Sequence, residues 1–160
     1  MKIELKPIGI IHSPFKSKED IPCQSYKSAE TGEIEVFKEF EDGLKDIEGF
    51  SHIIIVYYFH SSKNYSLNVK PFLDRELRGV FATRHPRRPN RIGISTVRLL
   101  ERKENLLKIK GMDVVDGTPL LDIKPYVQKF DERKNVKIGW LEDKLKNEVK
   151  NENINSSFRE

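Results

Sequence analysis

Apolar and polar positions alternate with a period of two over most of the chain, and only near the carboxyl end does the period lengthen to that of a helix. Met1 to Leu5 alternates and reads as a first strand rather than a signal peptide, and Ile8 to Ile11 continues it until His12-Ser13-Pro14. Residues 16–31 are polar, with Pro22 and several serines but no periodicity, and predict a long loop, of the kind that compact domains keep for function. Glu33 to Phe37 alternates cleanly as a half-buried strand. Between Asp42 and Phe50, the spacing of Leu44, Ile47 and Phe50 predicts one short helix. Ile53 to Phe59 is a dense run of β-branched and aromatic residues, which predicts a strand buried on both faces at the centre of the core.

After this run, residues 61–72 form a second polar loop ending at Lys70-Pro71-Phe72. Val80 to Thr83 and Ile92 to Val97 predict two strands, and Leu106 to Lys110 another that Gly111 stops. Asp116-Gly117-Thr118-Pro119 is a turn, since Asp supplies a side-chain acceptor and Gly a free φ, and Leu120 to Ile123 then extends to Pro125. From Ile138 onward, Ile138, Leu141, Leu145 and Val149 share one helical face, and residues 131–160 hold seven basic and seven acidic residues, so this segment predicts a neutral amphipathic helix with a frayed end. About seven strands with little helix between them favour a mainly β (α+β) fold. The expected architecture is a single-domain, barrel-like mixed or antiparallel sheet with a short helix and a C-terminal helix, divided into a domain at 1–130 and a helix and tail at 131–160.

Charge sharpens this picture in one place. The whole chain carries a formal +4, yet residues 79–98 alone hold five arginines and no acidic residue. Pro86 and Pro89 remove two backbone donors and push their predecessors toward extended conformations, so residues 84–91 form neither a regular helix nor a central strand. A stiff surface loop follows. Solvated faces normally mix Lys with Glu, whereas arginine forks bind phosphate and carboxylate and stack on bases, so the loop points to an anionic or aromatic partner.

Other chemistry is sparse. The 160 residues suffice for one core, and the longest apolar run, seven residues, is far below the roughly 20 that a bilayer span needs, so no membrane partner is expected. The single cysteine, Cys23, allows no intrachain disulfide and fits a cytoplasmic setting. Nine glycines form neither a dinucleotide fingerprint nor a phosphate loop, and the four histidines, at 12, 52, 60 and 85, lack ligand spacing, so no metal is expected. Ser95 has no ordered His and Asp partners for hydrolase chemistry. His60 sits where a core strand enters a polar loop, as a site residue or a hydrogen-bonded boundary histidine. Asp116 and Asp122 are the acidic residues placed most like site residues, although Asp116 also suits the closing of its own turn.

Two blocks of sequence also carry a family resemblance. Gly79-Val80-Phe81-Ala82-Thr83-Arg84, then Pro86, Arg88-Pro89-Asn90 and Ile92-Gly93, resemble the signature loop of the TsaA-like (TrmO-type) tRNA methyltransferases. Asp116-Gly117-Thr118-Pro119 with Leu121-Asp122-Ile123-Lys124-Pro125-Tyr126 is similar to that family's second signature. The resemblance spans roughly residues 5–130 and implies a β-barrel-like fold that binds S-adenosylmethionine. It implies that the donor is held by Pro22-Cys23-Gln24, His60-Ser61, Arg84 with the backbone at Ile94, and Asp116-Gly117-Thr118.

The same resemblance implies tRNA as partner, methylated at N6 of a threonylcarbamoylated adenosine beside the anticodon. Arg87, Arg88, Asn90, Arg91 and Arg98 are the expected RNA contacts, and a homodimer is the expected assembly. No catalytic base is identified. Three positions depart from the family pattern: His85 stands for Ser, Arg91 for Pro, and Cys23 for Arg. The first two substitutions leave the expected loop framework in place. Longer family members carry an extra domain thought to help grip tRNA. Two readings of other classes are a non-catalytic RNA-binding or donor-sensing barrel, and a methyltransferase for a small molecule or protein.

Overall fold

A computed structural model describes residues 1–21 and 28–146. Among them, six strands close an antiparallel barrel in the order β1-β2-β7-β6-β3-β8. They are β1 (Gly9–His12), β2 (Thr31–Val36), β3 (His52–Tyr58), β6 (Ile92–Lys103), β7 (Leu106–Lys110) and β8 (Thr118–Pro125), and a separate two-stranded ribbon pairs β4 (Asn68–Val69) with β5 (Arg78–Gly79). The mainly β, barrel-like expectation is borne out. Closure removes the sheet edges that a chain with this little helix would otherwise expose.

The period of two decides which side chains fill the barrel. Ile11, Ile34, Ile53, Ile55, Leu107, Ile109 and Leu120 are fully buried inside it. Each such aliphatic side chain contributes roughly 1.5–3 kcal/mol by leaving water. In β3, Ile53, Ile55 and Tyr57 point inward, whereas Ile54, Val56 and Tyr58 are only half-buried on the outer side. The strand is therefore not buried on both faces: the barrel is one sheet, and among the described residues no helix layer covers its outside here. In β6, Gly93, Ser95, Val97 and Leu99 face in, and Ile92, Ile94, Thr96, Arg98 and Leu100 face out.

Several local expectations are overturned. Residues 1–5 are exposed and outside any strand, since pairing of β1 with β2 and β8 starts at Gly9 and Pro7 can donate no ladder bond. The helix expected over 42–50 is two 3-10 segments, Lys38–Leu44 and Ile47–Gly49, separated where Asp46 takes φ 67. Val80–Ala82 is a 3-10 turn and not a strand, while Gln128–Asp131 forms a short helix, α1, that the pattern did not indicate.

Of the carboxyl-terminal helix, residues 141–146 are helical, and Val149 lies outside the described residues. This helix docks on the excursion between β3 and β6. The Trp140 indole N–H donates to Ala82 O at 2.9 Å, Lys144 pairs with Asp74 at 3.1 Å, and the Arg78 guanidinium lies 5.6 Å from the Trp140 ring centre. Asp74 is covered by Arg78 and Lys144, and the Arg78 bonds hold its carboxyl well below the usual range. The helix thus fastens the base of the arginine loop. Among the described residues, no helix is long and apolar enough to cross a membrane.

Candidate functional site

At the end of β3 the barrel opens into a cleft of about 550 Å³, within the range of small-molecule sites. Four segments meet there: the segment after β1, the end of β3 with the loop after it, the arginine loop, and the approach to β8. Their apolar contribution includes Ile21, Phe59, Val114 and Val115, and their polar one includes His60, Ser61, His85, Arg87, Asp113 and Thr118.

The floor is set by Tyr57, the last inward residue of β3. Its ring packs edge-on against Phe59, with centres 5.4 Å apart, and lies over Gly93 of β6. A methyl group at Gly93 would come within 2.3 Å of the Tyr57 ring, so the signature glycine is required by the aromatic rings that lie over it. The Tyr57 hydroxyl is 3.1 Å from Ser95 Oγ, and Ser95 Oγ donates to Asp113 Oδ1 at 2.8 Å. Burial, then the nearby Asp113 charge, pushes the Tyr57 phenol well above its usual range, against the opposing Ser95 bond and Arg84 charge. The phenol stays protonated.

Where β8 begins, Thr118 Oγ1 donates to Val115 O at 2.6 Å, so it accepts from His60 Nδ1, 3.5 Å away. His85 Nδ1 accepts the Arg87 backbone N–H at 3.1 Å. Burial, with the charges of Arg87 and Arg88, holds the His85 imidazole below its ordinary value of 6.5. It is neutral at pH 7, with its proton on the other ring nitrogen.

The expected donor residues are only partly brought together. His60, Ser61 and Thr118 line the cleft, and Arg84 lies close enough for its charge to act on Tyr57. The Ile94 side chain is on the outer side of β6, 54% exposed, because its neighbours Gly93 and Ser95 face in, so what Ile94 can offer a donor is its backbone, the part expected of it. Asp116 is also turned elsewhere, bonded to Lys16 Nζ at 2.6 Å and to the Ser13 N–H at 3.0 Å, which ties the turn before β8 to the segment after β1. Gly117, at φ +75, completes that turn. Asp122 pairs with Lys124 at 2.6 Å beside a separate apolar hollow between β8 and residues 38–50. Pro22, Cys23 and Gln24 lie outside the described residues, although the preceding Ile21 is on the cleft wall.

The expected RNA residues divide in two. Arg87, Asn90 and Arg98 are exposed. Arg88 turns back into its own loop, where Nη1 donates to Val80 O at 3.0 Å and Thr83 O at 2.7 Å. Arg91 donates to Ser62 O and stacks 4.8 Å above Tyr58. Arg91 also has φ 47, a conformation closed to proline, so replacing the family's proline does change the loop backbone here. Sequence reasoning missed the Tyr57–Ser95–Asp113 relay. The available signal was a hydroxyl at the inward positions of β3 and β6, where a purely structural core would place an aliphatic residue.

The family model described as the tRNA-methyltransferase O N-terminal domain matches residues 10–132. A Pyrococcus abyssi protein named as a probable S-adenosyl-L-methionine-binding protein is 61% identical over 138 residues, covering 86% of this chain and 75% of that one. The mouse tRNA (adenine(37)-N6)-methyltransferase is 35% identical over 154 residues, covering 90% of this chain and 35% of the mouse protein. A crystal structure of TrmO from Pseudomonas aeruginosa has a TM-score of 0.74 at 38% identity, covering 87% of this chain and 62% of that one. This chain therefore spans about a third of the mouse enzyme and less than two thirds of the solved TrmO chain.

Proposed function

From the premise that this chain belongs to the tRNA-methyltransferase O family, we propose that it transfers a methyl group from S-adenosylmethionine to N6 of an adenine in tRNA. More finely, the acceptor is N6 of threonylcarbamoyladenosine beside the anticodon, in the cytoplasm, with residues 1–130 as the donor-binding domain. The observation that carries this reading is the cleft itself, which gathers His60, Ser61 and Thr118 beside the arginine loop.

The residues present suit the donor. Its adenine and aliphatic chain need apolar walls, which Ile21, Phe59, Val114 and Val115 provide. Its amino acid and ribose need hydrogen-bonding groups, and Ser62 Oγ is buried there without a hydrogen-bond partner among the described residues. When bound, the donor supplies a methyl group on a positively charged sulfur that leaves as a neutral thioether, so transfer to nitrogen is an in-line displacement.

The chain's own contribution is alignment, which for two held reactants can be worth roughly 7–11 kcal/mol. Tyr57 and Phe59 give the cleft a rigid aromatic floor, and the docked helix keeps the arginine loop in register with it. Arg87, Asn90 and Arg98 bind RNA phosphates or stack on an unpaired base. Arg88 and Arg91 act first on the loop's shape.

Purified protein mixed with labelled S-adenosylmethionine and either bulk tRNA or protein extract tests the proposal. Label in tRNA, recovered as N6-methylated threonylcarbamoyladenosine after digestion, is the expected result. Label in the protein fraction overturns the substrate, and donor binding without transfer points to a sensing barrel. We also propose a homodimer, supported by the exposed apolar pair Ile92 and Ile94 at the start of the outer face of β6. A monomer mass by sedimentation at micromolar concentration refutes it.

A further inference from the structure

The arginine loop begins with an aromatic ring that the barrel does not use. Phe81 is 74% exposed in the middle of the Val80–Ala82 turn, and it is not among the residues that line the cleft. A single exposed aromatic side chain is ordinary. What sets this one apart is how it is held. Val80 before it is buried, with its N–H donating to Leu67 O at 2.8 Å, and Ala82 O after it accepts the Trp140 indole N–H. The Arg88 guanidinium, fixed by Val80 O and Thr83 O, lies over the Phe81 ring, 5.8 Å from its centre. One face of the ring is thus backed by a cation clamped to the ring's own turn, and the exposure leaves the other face open to solvent.

This arrangement suits a flat partner. With the backbone pinned on both sides, only two side-chain torsions remain to be ordered on binding, so the ring binds at low entropic cost. Every nucleobase offers a π-face to stack on it, whatever the sequence. The charge around the ring has the sign that phosphates require: residues 79–98 hold five arginines and no acidic residue, and Arg84 and Arg87 are exposed. A second copy of this chain, paired through a two-fold axis here, would bring the same arginines against themselves. We propose that Phe81, backed by Arg88, is a stacking platform for an unpaired base of the RNA substrate. The inference rests on the tRNA reading above and deepens it. His85 and Arg87 of the same loop line the cleft whereas Phe81 does not, so the base stacked on Phe81 is a neighbour of the methylated nucleotide and not the acceptor itself. Such a platform selects open loops over paired stems, whose bases have no free face.

The test is fluorescence anisotropy on the full chain with two labelled RNAs of equal length, a hairpin with an open loop and a fully paired duplex. The wild type should prefer the hairpin. Phe81→Ala and Phe81→Leu should each weaken the hairpin about tenfold, the size expected for loss of one base–aromatic stack, and leave the duplex within about twofold. Leucine keeps apolar surface but has no flat ring. Tryptophan keeps the ring, so Phe81→Trp should bind the hairpin at least as tightly as the wild type. The salt slope should stay the same in all three variants, because no phosphate contact is lost, and so should donor affinity by calorimetry. Equal wild-type affinity for the two RNAs, hairpin affinity unchanged in Phe81→Ala, or hairpin affinity retained in Phe81→Leu overturns the platform and leaves the tRNA reading intact. A Phe81→Ala chain that sediments as a monomer where the wild type is a dimer also overturns it, since a second copy would then cover the ring. A wild-type chain that binds neither these RNAs nor bulk tRNA overturns the tRNA reading and this inference with it.

Discussion

Replacing Gly93 with alanine tests the geometry on which the whole cleft depends. The added methyl would lie 2.3 Å from Tyr57 Cε2, 2.6 Å from Tyr57 Cζ and 2.8 Å from Phe59 Cζ, so one of the two rings must move. Tyr57 has little freedom to do so. It is 4% exposed, its strand is paired on one side with β6 and on the other with β8, and its hydroxyl is tied to Ser95. Overpacking by one methyl usually costs about 1–3 kcal/mol. A rigid ring held on both sides places this case in the upper half of that range, and the lower unfolded-chain entropy of alanine returns about 0.4–1 kcal/mol. The expected net loss is about 2 kcal/mol, or about 4–8 °C in melting temperature for a domain of this size. Urea unfolding followed by circular dichroism and by the single tryptophan, Trp140, measures it. Donor affinity should fall in parallel, because a displaced Tyr57 no longer completes the relay. A midpoint equal to or above that of the wild type would show that the Tyr57 ring does not lie on Gly93, and the floor of the cleft would have to be redrawn.

Arg88→Ala removes two charge-assisted bonds, each worth about 1.5–3 kcal/mol, although Val80 O keeps the Thr83 hydroxyl as a donor. Amide exchange over residues 80–91 should accelerate about tenfold or more with little change in global stability, and unchanged exchange with only RNA affinity lost would mean that Arg88 is an RNA contact rather than a brace. His85 is held below 6.5 by burial, then by Arg87 and Arg88, so its contribution to stability is present above pH 6.5 and lost as pH falls through its depressed folded value. His85→Gln should flatten the acid side of the stability profile there, and an identical profile in the variant would refute the assignment. RNA affinity should fall with log salt at about −0.7 per phosphate contact, and Arg98→Ala should reduce the slope by about that amount. A salt-independent affinity would place the RNA surface away from these arginines.

Much of the fold was legible in the sequence because its signals are local. Leu106 to Lys110 alternates within five residues and is a strand with those bounds, and Pro86 and Pro89 alone exclude regular structure from the arginine loop. The two signature blocks were equally readable, and with them the family. Other elements depended on discriminations that local pattern does not make. Leu44, Ile47 and Phe50 fit a helix of either pitch, and only the left-handed turn at Asp46 and the packing of Leu44 select short 3-10 segments.

The site depended least of all on neighbours in sequence. Tyr57, Ser95 and Asp113 come from β3, β6 and the approach to β8, and they meet because the barrel closes in one register that sets Ser95 and Tyr57 on the inner face. Asp116, readable as a site residue, was drawn to Lys16 and Ser13 instead, and Arg88 and Arg91 folded back onto carbonyls within reach. The alternation of residues along a strand states which side chains share a face, since that is a property of one chain segment. Which of them touch is decided by pairing between distant segments, and a polar group's partner is whatever that pairing brings within about 3 Å.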